Sequence, residues 1–178
     1  MKGTLVASRY ATSLLELALE NNLLDKVNED MVELSAVCAE SKDFADLLSN
    51  PIVHESKKID IFKALFSDNM QTLSISFLEL ITKHSREGIL PAIAASYTEL
   101  YKKHNNIVDV VLTSAIELDA ATKEKIISKI KTITTGKIEL VEKIDPSIIG
   151  GFIINIEDKQ IDSSVASKFS NLKNILLN

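Results

Sequence analysis

Residues 90–116 read LPAIAASYTELYKKHNNIVDVVLTSAI, and the fold turns on the change of rhythm inside them. Up to His104 the apolar residues recur three and four apart, as they do along one face of a helix. From Ile107 onward β-branched residues crowd into a run that fits a strand. Asn105-Asn106 separates the two patterns. The chain therefore divides near residue 105, and each side is read by its own period.

Upstream of that point, helical spacing predicts helices over roughly 4–21, 24–40, 42–49, 55–66, 70–84 and 87–104. Asn50-Pro51 breaks the third from the fourth, and Ser67-Asp68-Asn69 and Ser85-Arg86-Glu87-Gly88 make the later breaks. Connections this short favour antiparallel neighbours, hence a six-helix bundle. Downstream, strands are expected at 107–116, at 137–144 (KIELVEKI) and at 151–156 (GFIINI). Glu157-Asp158-Lys159 then turns tightly into Gln160-Ile161. A helix over 119–134 places Ile126, Ile127, Ile130 and Ile133 on one face, and a last one begins near Asp162 with Val165, Phe169, Leu172 and Leu176 as its stripe. The expected fold class is α+β, mainly α. A helical bundle spans 1–105, and a small α/β domain with a β-hairpin spans 106–178.

Composition narrows the function. The 178 residues carry 20 basic and 25 acidic side chains, a formal charge of −5, with 46% hydrophobic residues. That is ordinary for a globular protein. Neither half is basic: residues 1–105 hold 11 basic and 15 acidic side chains, and residues 106–178 hold 9 and 10. Nucleic-acid binding needs a basic face, and arginine, its preferred reader, occurs twice against 18 lysines. Nine aromatics and no tryptophan leave little for base stacking. The longest uncharged stretches, Gly88–Thr98 and Pro146–Ile156, are 11 residues, well short of the roughly 20 a membrane helix needs. Met1-Lys2-Gly3-Thr4 opens no signal-peptide core, and Glu16 and Glu20 disfavour a transit peptide. A soluble, cytoplasmic protein is expected.

Chemistry finds no foothold. His54, His84 and His104 have no partner at metal-ligand spacing, and read as surface or helix-end residues. Cys38, the single cysteine, lies in a helical apolar pattern and reads as a buried thiol. Asp145-Pro146-Ser147-Ile148-Ile149-Gly150-Gly151 contains a glycine pair, but a strand follows it, where a phosphate cradle requires a lysine and a helix N-terminus. Asp145, Pro146, Gly150 and Gly151 are better read as a structural turn, with the glycines supplying positive φ or a bulge. No catalytic residue, cofactor or metal is expected.

What remains conspicuous is apolar surface. On a wheel of 100° per residue, Arg9, Glu16 and Glu20 of the first helix share one narrow seam, while apolar residues cover about 220°. A bundle helix needs a stripe of little over 100°. The fifth helix repeats the excess: Glu79 and Lys83 make one i,i+4 seam, and Met70, Leu73, Ile75, Phe77, Leu78, Leu80 and Ile81 cover about 220°. One such helix fits a central position in the bundle; two are harder to bury. The pattern leaves two readings open: both helices are enclosed by the bundle, or they lie side by side and leave an apolar groove for a partner helix. Ala7, Ala11 and Ala18 suit close approach to the bundle, and the bulkier edge Val6–Tyr10–Leu17 suits the groove. The groove is expected to be lined by Val6, Tyr10, Ser13, Leu14, Leu17, Leu73, Phe77 and Leu80.

These residues lie within a wider resemblance. The chain resembles the delta subunit of the bacterial rotary ATP synthase, related to the mitochondrial oligomycin-sensitivity-conferring protein. The match runs through Ala7-Ser8-Arg9-Tyr10-Ala11 with Leu14, Asn50-Pro51, Arg86 with Leu90, Ile138, Ile144 through Phe152, and Ile161-Asp162-Ser163-Ser164-Val165. Both arginines fall on motif positions. Ser85 departs from the family, which often has glycine there, so a local difference in the turn is expected. Ser163 also differs, at a position where small residues vary. The resemblance implies a non-catalytic stator whose first and fifth helices grip the N-terminal helix of an α subunit. It also implies that the C-terminal domain meets the b subunits of the peripheral stalk, and that the complex stands at the cytoplasmic face of the bacterial cell membrane. The alternative is a free-standing helical adaptor or RNA-binding regulator, against which the acidic N-terminal half already counts.

Overall fold

The small residues of the first helix set the packing of the first unit. In a computed structural model, which describes residues 2–115, 123, 126–128, 130, 136–146, 148, 150–156, 159–165, 167 and 169, α1 spans Lys2–Glu20. Ala7, Ala11, Leu14 and Ala18 recur at i, i+4, i+7 and i+11, and all four are fully buried. The other helices are α2 (Leu24–Glu40), α3 (Lys42–Ser49), α4 (Glu55–Phe66), α5 (Thr72–Lys83) and α6 (Leu90–His104). The segment expected as one helix over 87–104 opens instead with a 3-10 turn at Glu87–Ile89. Pro91 falls in the first turn of α6, where its missing N–H costs nothing.

Helix ends follow local chemistry. The Ser41 hydroxyl caps α3 by accepting from the Phe44 N–H at 3.2 Å. His54 Nδ1 accepts from the Ser56 N–H at the start of α4. Asn22, Ser85 and Asn106, each just beyond a helix, take left-handed backbone at φ 55°, 54° and 51°. The core joins the α1 row to Val27, Met31 and Leu34 of α2, Phe44 and Leu48 of α3, Phe62 and Phe66 of α4, Phe77, Leu78 and Ile81 of α5, and Leu90, Ile93, Ala94 and Tyr97 of α6. Phe44 packs against both Phe62 and Phe66, with ring centroids 5.9 and 6.0 Å apart.

The chain separates into two units, Met1–Tyr101 and Lys102–Asn178. Lys102, the first residue of the second unit, still lies in α6 and pairs within that unit with Asp109 at 2.7 Å and Glu139 at 3.0 Å. That unit holds β1 (Ile107–Ser114), β2 (Lys137–Ile144), β3 (Phe152–Ile156) and β4 (Lys159–Asp162), in the order β2-β1-β3-β4. β2 runs parallel to β1, with Ile107 opposite Lys137. β3 is antiparallel to β1, and β3–β4 is a hairpin with Ile156 opposite Lys159. β1 ends at Ser114, earlier than its apolar run suggests. Val110, Leu112, Ile154 and Ile156 form the sheet's buried face, covered by Ile126 and Ile130. Ile133 of the 119–134 helix, and Leu172 and Leu176 of the last one, lie outside the described residues. Phe169 is 67% exposed, so it does not continue a buried stripe from Val165.

Backbone bonds help to place the described residues of the 145–151 segment. The Asp145 N–H donates to Ser114 O at 2.9 Å, and the Ile148 N–H closes onto Asp145 O at 3.2 Å. Gly151 has φ 83°, and a Cβ there would stand 2.5 Å from Ser163 O. Glycine is therefore required by conformation and by space. Gly150 has ordinary backbone, and its absent Cβ leaves room for Val165.

Candidate functional site

Beside the buried row of α1 lies a half-covered edge. On the helical wheel Val6, Tyr10 and Leu17 fall together next to Leu14. Val6 and Tyr10 are half-buried and Leu17 is 44% exposed. In α5 the buried arc is Ser74, Phe77, Leu78, Ile81 and Thr82. Leu73, half-buried, and Leu80, 47% exposed, flank it on the side of Phe77. The two edges meet: the Tyr10 and Phe77 rings are T-shaped, with centroids 6.4 Å apart. α1 and α5 are neighbours here, with Leu17 and Leu80 left uncovered.

Of the residues expected to line a groove, Leu14 is placed otherwise. It is fully buried in the bundle core. On the wheel it lies between Tyr10 and Ala7, and its i+4 partner Ala18 belongs to the buried row, so its side chain points inward. Phe77 is likewise a core residue, 7% exposed, with Tyr10 packed against its ring. Ser13 is exposed. The broad apolar arc expected for the fifth helix is partly core as well: Met70, which precedes α5, is buried, and Ile75 is half-buried against the core.

Two arginines border this surface. The Arg86 Nη1 donates to the Tyr10 hydroxyl at 2.6 Å, and its guanidinium carbon lies 5.6 Å from the Tyr10 ring centroid. Val6, Arg9, Tyr10, Ser13 and Arg86 together line a pocket of about 320 Å³. Sequence reading assigned Arg9 to the polar seam and gave Arg86 no place in the site. The available signal was that the chain spends both of its arginines on these two positions.

α5 is fixed from outside the surface. Gln71, before its first turn, offers no side-chain cap. The cap comes from α2: buried Asp30 accepts from the Gln71 N–H at 3.0 Å and from the Ser74 hydroxyl. At the other end Ser85 takes left-handed backbone at φ 54°, the region that glycine favours. The Arg86 N–H then donates to Ile81 O at 3.1 Å. Along its length Glu79 pairs with Lys63 of α4 at 2.8 Å. The lysine's bond and charge hold the Glu79 carboxyl below the usual carboxylate range.

A second cavity of about 440 Å³ lies by the Asn50-Pro51 turn, bordered by His54, Thr82, Ser85 and Glu87. Beside it Lys58, almost wholly buried, donates to Asn50 O at 2.7 Å and to Glu87 Oε1 at 2.6 Å. All three histidines stand exposed at helix ends. Cys38 is half-buried rather than fully buried, and its desolvation pushes the thiol up from its ordinary value. Among the described residues no three His, Cys, Asp or Glu side chains gather as a metal site would require. Nor is any described helix long and apolar enough to cross a membrane.

Comparison with known proteins places this geometry. The profile of the ATP synthase delta (OSCP) subunit family matches residues 6–176. The ATP synthase subunit delta of Cytophaga hutchinsonii is 39% identical, with 98% of this chain and 95% of that protein covered. Its counterpart in Flavobacterium johnsoniae is 33% identical over the full length of both. A chain of the cryo-EM structure of the Toxoplasma gondii mitochondrial ATP synthase hexamer shares the fold, with a TM-score of 0.73, 22% identity and 97% of each chain covered. With the profile spanning nearly the whole sequence and full-length relatives above 30% identity, the chain belongs to the ATP synthase delta (OSCP) subunit family, a non-catalytic structural part of the membrane-associated synthase.

Proposed function

We propose that this subunit is the stator connector of its synthase. The helical unit holds the N-terminal helix of an α subunit in the groove between α1 and α5. The C-terminal unit meets the b subunits of the peripheral stalk, at the cytoplasmic face of the bacterial membrane. The catalytic head is thereby kept from turning with the rotor. The observation that carries this reading is the uncovered pair Leu17 and Leu80, flanking the Tyr10–Phe77 contact. Large apolar side chains on adjoining helices suit a helix laid into a groove. The task makes no bond and breaks none. It needs slow dissociation under load, which a desolvated apolar contact gives better than exposed charge pairs.

The test is calorimetric titration of the full chain with the N-terminal 20-odd residues of the same organism's α subunit, repeated with Leu17→Asp and Leu80→Asp. One-to-one binding by the wild type is expected, with each aspartate weakening it at least ~100-fold while helicity is unchanged, as for an interface hot spot. A folded wild-type chain that leaves the peptide unbound refutes the groove.

A further inference from the structure

Of the chain's 20 basic side chains only Arg9 and Arg86 are arginine. They come from α1 and from the segment after α5, and both line the 320 Å³ pocket with Val6, Tyr10 and Ser13. Among the described residues neither guanidinium pairs with a carboxylate; the ion pairs found there all use lysine. Arg86 is nonetheless oriented, by its bond to the Tyr10 hydroxyl and its place over the ring. That bond uses one of the five N–H donors a guanidinium carries, and Ser13 adds a hydroxyl. Two unneutralised guanidiniums facing one concavity, in a chain of charge −5, make a local positive focus that an anion would fill.

The geometry points to a carboxylate: we infer that the pocket receives an Asp or Glu side chain from the flank of the helix lying in the α1/α5 groove. This inference rests on the groove reading above and deepens it. Val6 and Tyr10 belong to both the groove edge and the pocket, so the two surfaces are continuous. An amphipathic helix bound by its apolar stripe brings the charged residues beside that stripe, one turn along, to such a flank. The apolar side of the pocket, Val6 and the Tyr10 ring, suits a helix flank better than a free small anion. Arginine matches a carboxylate in planar, two-pronged fashion, which fixes direction and register as lysine would not. In this division of labour the leucines hold the partner helix, and the arginines decide which way it lies.

The experiment titrates the full chain with the α-subunit peptide, and with peptides in which each Asp or Glu is changed singly to Asn or Gln. Wild type, Arg9→Gln and Arg86→Gln are compared at two salt concentrations after their helical spectra are matched. Each arginine variant should lose about tenfold in affinity and much of its salt dependence. One amide peptide should lose the same, and the two losses should not add when combined. Arg9 has no partner among the described residues, so its variant separates recognition from folding. Undiminished binding by both arginine variants, with Leu80→Asp still disruptive, overturns the carboxylate pocket and leaves the groove standing. A wild type that does not bind overturns both. Inorganic phosphate is the control titrant: saturable phosphate binding lost in the arginine variants, with peptide affinity unchanged, identifies a small-anion site and also overturns the inference.

Discussion

Replacing Lys58 by methionine tests what holds the segment that carries Arg86. The Lys58 side chain is 1% exposed and Glu87 13%. The ammonium donates to Glu87 Oε1 at 2.6 Å and to the Asn50 carbonyl at 2.7 Å, while the other carboxylate oxygen, Oε2, is buried without a partner among the described residues. Methionine keeps the length and apolar stem of lysine, so the packing cost stays small. What is lost is the charge. Removing one member of a buried pair strands the other, at about 3–5 kcal/mol. The Asn50 carbonyl also loses its donor, at about 1 kcal/mol. The Lys58→Met chain should therefore lose about 4–6 kcal/mol, and Glu87→Gln, which leaves the buried ammonium unneutralised but keeps it an acceptor, should lose about 3 kcal/mol.

The double variant Lys58→Met/Glu87→Leu gives the decisive comparison. With both charges gone, no ion is stranded, and stability should return to within about 2 kcal/mol of wild type. Urea denaturation followed by far-UV circular dichroism reads all four chains, since the helical unit dominates the signal. A single variant within about 1 kcal/mol of wild type, or a double variant no better than the single, refutes the reasoning. Either result would mean that Lys58 and Glu87 are neighbours without being a coupled pair.

Three further outcomes are expected. Asp30→Ala removes the remote cap of α5 and leaves the Gln71 N–H and the Ser74 hydroxyl without their acceptor; it should cost about 1–3 kcal/mol in the same denaturation assay. Ser85→Gly relieves a left-handed residue at φ 54° and should stabilise by up to about 1 kcal/mol; a loss of stability would show that Ser85 is not strained. The Asp162 carboxyl lies below its usual range because it accepts from the Ser167 hydroxyl and then from the Ser164 N–H. A lowered folded-state value means the contribution is full above the unfolded value, about 3.9, and is lost as pH falls through the folded one. Carbon-detected NMR titration should find Asp162 ionising at lower pH than the exposed aspartates, and Ser167→Ala should move it back toward them.

Most of the element boundaries were legible because their causes are local. Asn50-Pro51, Ser67-Asp68-Asn69 and Ser85–Gly88 interrupt helical spacing within a few residues, and α2, α3 and α4 begin and end where that spacing does. The alanine row of α1 was legible for the same reason: one helix face is a local property. Leu14 was not, because a leucine bound for the core and one bound for a groove have the same chemistry, and only the neighbours decide. Lys58 reads as a solvated lysine until Glu87 folds against it. Asp30 shows no sign of capping a helix that starts 42 positions later, at Thr72. The pairing of β1 with both β2 and β3 is likewise a long-range choice that strand patterns leave open.

The residues that could not be read locally share an arrangement. Asp30 holds the start of α5, Lys63 holds its middle through Glu79, and Lys58 holds the segment just after it through Glu87. Next to Glu87, Arg86 reaches back to Tyr10 on α1. The ties through Asp30, Lys63 and Lys58 come from α2 and α4, so α5 is positioned by charge and hydrogen bonding while the edge that carries Leu73 and Leu80 stays apolar. For the proposed groove this has an energetic consequence. A wall already fixed in place loses little conformational freedom when a helix docks, and more of the apolar burial is left as affinity. If this is how the groove works, Asp30→Ala should weaken α-peptide binding even though Asp30 is buried on α2, and should do so mainly through faster dissociation. Stopped-flow displacement of a labelled peptide measures that rate. An unchanged dissociation rate in a destabilised but folded Asp30→Ala chain would show that the position of α5 is set by core packing alone, and that its polar ties serve stability without serving the groove.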